Sequence, residues 1–167
     1  MNRITTLGIV GRFAIVLIAT VIVQGILALR LRVFGYFDLP LICSVYYGFV
    51  LGNPIASIVI GSSVGLLQDS LSGAVLGSNG FSKTLIGFLA ASAGAKFNVD
   101  QAITRFFALF LFSIGDGLLV SILGLMTDRA GSAAGSNVGN WLLSATFNTL
   151  LGLALFGYRD RWSNATT

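Results

Sequence analysis

The sequence contains no histidine and no glutamate, and its only cysteine is Cys43. Without histidine, the commonest general base and metal ligand is missing. One cysteine forms no disulfide within the chain, so redox compartment is left open. Charge is scarce too: 10% of residues, against about 25% in a soluble domain. What fills the space is apolar. The 167 residues are 55% hydrophobic, with a mean hydropathy of +0.89. A chain this size leaves too much surface exposed to hide that in a core. Lipid is the solvent that resolves the problem, so the chain reads as an integral membrane protein. The net charge of +4 does not indicate nucleic acid, because the lysines and arginines stand singly or in pairs at the ends of apolar runs, as membrane anchors do.

Those runs predict a single all-α domain over 1–162 with six spans: about 13–29, 39–51, 55–71, 81–96, 106–125 and 141–157. Residues 163–167 read as a flexible tail. Arg3 and Arg12 precede a run too long for a typical signal core, with no small-x-small site closing it, so it reads as a span that stays. Run 39–51 reaches only about 20 Å at ~1.5 Å per residue, against a hydrocarbon core of ~30 Å. Asp38 can cap it, and Pro40 suits its first turn. Gly52-Asn53-Pro54 is a strong turn, so 39–51 and 55–71 form a hairpin, either re-entrant or two spans. Tyr46, Tyr47 and the pair Gly48 and Gly52 suit helix packing, which favours two spans. The tyrosines are equally interface anchors or ligand stackers. Ser72–Ser82 reads as a Gly/Ser-rich connector, with Lys83 snorkelling at the edge of the fourth span. With termini inside, Arg3, Arg12, Lys96, Arg105, Arg159 and Arg161 face Arg30, Arg32, Lys83 and Arg129 across the membrane. Six against four favours that orientation.

Within this frame one ridge stands out. Ser57, Gly61, Gly65, Asp69, Gly73 and Gly77 recur every four residues, so small side chains and one carboxylate share a helix side. Such strips let helices approach closely in lipid. Gly87, Ala91 and Ala95 repeat the spacing, as do Asn140, Ser144, Asn148 and Gly152. Asp69 precedes a Gly-rich turn that a carboxylate can close, and it reads first as the residue fixing that junction and second as a binding group. Asp116 lies mid-span among Ser113, Gly117, Ser121 and Gly124. A central Asp costs about 2.5–3.5 kcal/mol on the insertion scale, so it faces protein. It is either a carboxyl hydrogen-bonded to a neighbouring helix or a ligand or partner contact, with Asn148, Ser144 and Lys83 as candidate mates. Asn79 and Asn148 read as interhelical or turn hydrogen bonders, and Cys43 as packing.

Catalytic signals are thin. The sequence shows no metal-ligand cluster, nucleophile–base pair, Walker loop or dinucleotide fingerprint, and Gly77-x-x-Gly80 alone is no phosphate loop. A non-enzymatic protein without cofactor or metal is expected.

The hairpin closed by Leu51-Gly-Asn-Pro54, followed by Gly65-Leu-Leu-Gln-Asp-Ser-Leu-Ser-Gly-Ala-Val-Leu-Gly77, resembles the rod shape-determining MreD family. Gly65, Asp69, Leu71, Ser72, Gly73 and Gly77 match its motif. Asp38-Leu39-Pro40 departs from the family's Pro-Asp-Leu order, and the basic residues often found in the hairpin turn are replaced by Gly52-Asn53. The resemblance covers about residues 38–90. It implies a six-helix bundle similar to the substrate-capture subunits of energy-coupling factor transporters. It also implies a scaffold role in the bacterial cytoplasmic membrane, in the cell-elongation complex that builds the lateral wall. The implied partners are MreC, through its membrane helix against a small-residue face, then RodA and a class B penicillin-binding protein through the complex, and MreB indirectly. The alternative from the same relation is a vitamin-capturing transporter subunit. Ala14, Ala19 and Ala28 do not form the docking pattern that such subunits often carry in the first helix.

Overall fold

Two short turns set the register of the bundle. Asp38 accepts the backbone N–H of Leu41 at 2.9 Å and Pro40 occupies the first turn, so α2 runs Leu39–Leu51. Gly52 closes it with φ 56°, its N–H bonded to the Gly48 carbonyl. Asn53 then accepts from Ile55 at 3.0 Å and Ala56 at 3.3 Å, and Pro54 opens α3, Pro54–Ser72. The Gly-Asn-Pro triplet thus ends one helix and begins the next with no residue between.

In the computed structural model the described residues are 15, 18–26, 35–73, 75–96, 101–127 and 138–165, with side chains to Tyr158. Around the hairpin lie α1 (18–26), α4 (Ser78–Gly94), α5 (Ala102–Met126) and α6 (Val138–Ala165). No strand occurs among the described residues. Most of the polar loop expected at 127–140 lies outside them, as do the ends of the first expected span. α6 continues into the stretch expected as a tail.

The small-residue ridge of α3 is filled by α4. A Cβ on Gly61 would clash with the carbonyl of Lys83, and one on Gly65 with the backbone of Asn79. From the other side, a Cβ on Gly87 would sit 2.9 Å from the Ser57 oxygen, and one on Gly48 2.8 Å from the Ala90 Cβ. Helices α2, α3 and α4 therefore meet backbone to backbone. The strip stops at Asp69: Gly73 (φ 64°) and Gly77 (φ 100°) leave the helix in the left-handed region and form the turn instead. Gly52 likewise caps rather than packs, with open space around it.

Helices α5 and α6 form the second half, with Gly152 under Leu109 and Gly117 under Trp141. Leu41, Val45, Phe49, Ile86, Ala90, Leu109 and Phe156 join the halves. Tyr46 packs against Phe156 with ring centroids 5.0 Å apart and the planes tilted by 51°, and Tyr47 is buried with Val21 and Val64, so both tyrosines are packing residues rather than interface anchors. The outside is apolar: Ile55, Leu71, Phe107, Leu111 and Leu125 are all more than half exposed. The buried polar residues include Asp69, Lys83, Asp116 and Asn148. Three helical stretches, Pro54–Ser72, Ala102–Met126 and Gly139–Tyr158, are long and apolar enough to cross a membrane. Apolar outside and charged inside is the arrangement of an all-α membrane bundle.

Candidate functional site

Alternating helix directions bring the start of α2, the end of α3 and the start of α4 to one end of the bundle. Asp69, Lys83 and Asp116, three of the four buried charged side chains described, meet there. Of the six charged side chains described, Asp38, Asp69, Lys83 and Asp116 belong to one connected network.

Asp69 anchors the first part. Its Oδ2 accepts the backbone N–H groups of Gly77 at 2.8 Å and Gly80 at 3.1 Å. Its Oδ1 accepts the Asn79 backbone N–H at 3.1 Å and the Asn79 amide Nδ2 at 2.8 Å. The first N–H groups of a helix have no partner within the helix, and the N-cap Gly77 has no side chain to offer. Asp69 supplies the cap from the preceding helix, with its negative charge at the positive end of the α4 dipole. This is why α4 begins at Ser78. The Gly/Ser composition of 72–82 reads as a connector, but a remote carboxylate satisfies its backbone and lets it coil.

Lys83 anchors the second part. Its side chain is fully buried, with Nζ 2.8 Å from Asp38 Oδ2 and 3.3 Å from each oxygen of Asp116. It also donates to Asn79 Oδ1 at 3.0 Å, which ties the two parts together. Ser82 Oγ donates to Asp116 Oδ1 at 2.6 Å. The expectation that Lys83 snorkels is overturned. Two carboxylates and an amide give the ammonium better company than the headgroup region, and the glycines of α3 let α4 carry it inward. Asp116 is buried, and of its candidate mates it meets Lys83. Asn148 instead donates to Ser113 Oγ at 2.9 Å and accepts the Asp38 N–H at 2.8 Å. Ser144 donates to the Tyr36 carbonyl at 2.6 Å.

The sequence pointed to Asp69, Asp116 and Asn148 and to Lys83 as a candidate mate of Asp116, but otherwise set Lys83 at the edge of its span and gave Asp38 only a capping role. One signal was present: Asn79, Lys83, Gly87 and Ala91 share the four-residue spacing of the packing ridge. Among the residues singled out, Gly61 and Gly65 serve close approach, Gly73 and Gly77 serve the turn, Asp116 joins α5 to α4, and Asn148 joins α6 to α5 and to the loop before α2. The arrangement clamps helices. Each charge has an opposite charge or several hydrogen bonds, and Lys83 is closed to a reactant. No group of three or more metal-ligating side chains occurs among the described residues.

The chain was compared with known proteins. The family model described as rod shape-determining protein MreD matches residues 4–161. No curated protein and no solved structure matches, so the likeness to capture subunits rests on the family resemblance alone.

Proposed function

The chain belongs to the rod shape-determining MreD family, and from that membership we propose a non-enzymatic scaffold in the bacterial cell-elongation complex. The family places the chain in rod-shape determination, in a membrane, and in association with the shape-determining complex. We assign it further to the cytoplasmic membrane, with MreC as direct partner. RodA and a class B penicillin-binding protein are reached through the complex, and MreB indirectly. Termini inside remains the better orientation. With Lys83 and Arg105 removed from the tally because both are buried, Arg3, Arg12, Lys96, Arg159 and Arg161 oppose Arg30, Arg32 and Arg129. The polar end then faces outward.

The family match carries this reading. A bundle clamped by buried charge, with an apolar exterior, suits a part that holds others in place. The α3 ridge is occupied by α4, so the MreC helix docks on another face. Co-purification from native membranes is the test. Recovery of a single-helix MreC-like protein, with loss of rod shape on depletion, is the expected result. Recovery of a bound vitamin or an ATPase module instead would assign the chain to transport.

A further inference from the structure

Helix α4 is poorly equipped to enter a membrane by itself. Its 17 residues reach about 25 Å at ~1.5 Å per residue, against a hydrocarbon core of ~30 Å. Its strong hydrophobes are Phe81, Leu85, Ile86, Phe88 and Leu89. A lysine at the centre of a segment offsets about six such residues on the insertion scale, and Lys83 lies inside α4 behind Ser78, Asn79, Gly80 and Ser82. Its neighbours differ. α3 and α5 are among the stretches apolar enough to cross a membrane, and α4 is not.

The folded protein shows what α4 leans on. Lys83 and Ser82 have no exposed surface. Asp69, on α3, accepts the backbone N–H groups of Gly77, Asn79 and Gly80 and the Asn79 amide. Asn79 in turn accepts from Lys83. In hydrocarbon no water can replace Asp69 in that role. Gly61, Gly65 and Gly87 let the two backbones touch. Asp38, which precedes α3 in the chain, meets Lys83 at 2.8 Å. These partners all exist once α3 and α4 lie side by side. Asp116 comes 33 residues after Lys83, on a later helix.

We infer that α4 is a dependent membrane segment. α3 carries it across as one hairpin, and Asp69 is the residue that licenses its entry, before α5 delivers Asp116. The inference rests on the membrane class of the bundle and not on the partner reading. Topology and co-purification are separate measurements, so either can fail alone.

The test maps topology in the full-length chain, in cells, on pulse-labelled protein. Cys43→Ala removes the native thiol. Leu76→Cys and Gln101→Cys, introduced singly at exposed positions, report on the two sides of α4. A membrane-impermeant maleimide, applied to right-side-out and inverted vesicles, reads the face of each. Opposite faces are expected without further change. Asp69→Ala should raise about tenfold the share of chains in which residue 101 lies on the face of residue 76, the worth of one buried group left unpaired. Adding Lys83→Leu should return that share to its starting value, because α4 then has one more hydrophobe and no charge. Asp116→Asn should leave it unchanged. Each reading is a ratio among inserted chains, so poor final packing or low yield does not blur it. Unaltered topology in Asp69→Ala overturns the inference. So does failure of Lys83→Leu to restore it, or a rise in Asp116→Asn as large as that in Asp69→Ala. Labelling of both reporters from one face without Asp69→Ala overturns it as well.

Discussion

Asp69 and Asp116 are both buried carboxylates in helices of a membrane bundle, yet they are held in different ways. Asp69 takes its hydrogen bonds from neutral donors no more than eleven residues away. Asp116 takes its bonds from Ser82 and Lys83, more than thirty residues back on another helix. The first caps a helix and closes a turn. The second joins the α2–α4 half to the α5–α6 half. Backbone N–H groups cannot be moved or substituted away, so Asp69 is fixed by geometry. Asp116 is fixed by charge, and charge can be rebalanced.

The largest effect expected is that of Lys83→Met. It leaves Asp38 and Asp116 without their cation, and breaking a buried pair costs about 3–5 kcal/mol. Thermal unfolding in detergent should show the loss, together with low membrane levels. A melting curve like that of the unmodified protein would mean that the network does not join the halves.

Asp69→Asn comes next. The amide keeps one acceptor oxygen but turns an NH₂ toward N–H groups already pointing inward. Unsatisfied buried donors cost about 1–3 kcal/mol each. Loss of hydrogen-exchange protection confined to 69–83 would place the effect at the junction. Loss across both halves would end the contrast with Asp116.

Gly65→Ala tests the close approach directly, since its Cβ would clash with the backbone of Asn79. Overpacking costs about 1–3 kcal/mol. Gly25→Ala, with open space around it, should change stability little. Equal melting temperatures for the two variants would contradict the packing of α3 on α4.

Asp116→Asn should be the mildest. One amide oxygen can still accept from Ser82, and Lys83 keeps Asp38. A cost below about 1.5 kcal/mol is expected, the scale of one ordinary hydrogen bond, with retained complex formation. A collapse as large as that of Lys83→Met would show that the second carboxylate charge is required.

The junction around Asp69 was legible in the sequence because its parts are neighbours. An acid followed by Gly73 and Gly77 can be recognised as a turn closure without knowing the rest of the chain. The start of α4 was not legible. Residues 78–82 are rich in Gly, Ser and Asn, and their helical state depends on a cap from another helix. The full burial of Lys83 was not legible for a related reason. A lysine at the start of an apolar run ordinarily reaches for water, and only the positions of Asp38 and Asp116 make the interior the better place.

The sequence by itself determined the solvent, the helical class and the turn at Gly52–Pro54. These follow from hydropathy, from backbone hydrogen bonding in lipid and from local capping, all of which act over a few residues. Tertiary structure alone decided which charges are paired. A Coulomb partner is set by distance in space, and Lys83 meets Asp38 and Asp116 because glycines at 61, 65 and 87 let α3 and α4 touch. The same packing left Gln68 Oε1 buried without a hydrogen-bond partner among the described residues, which no pattern of residue types announces.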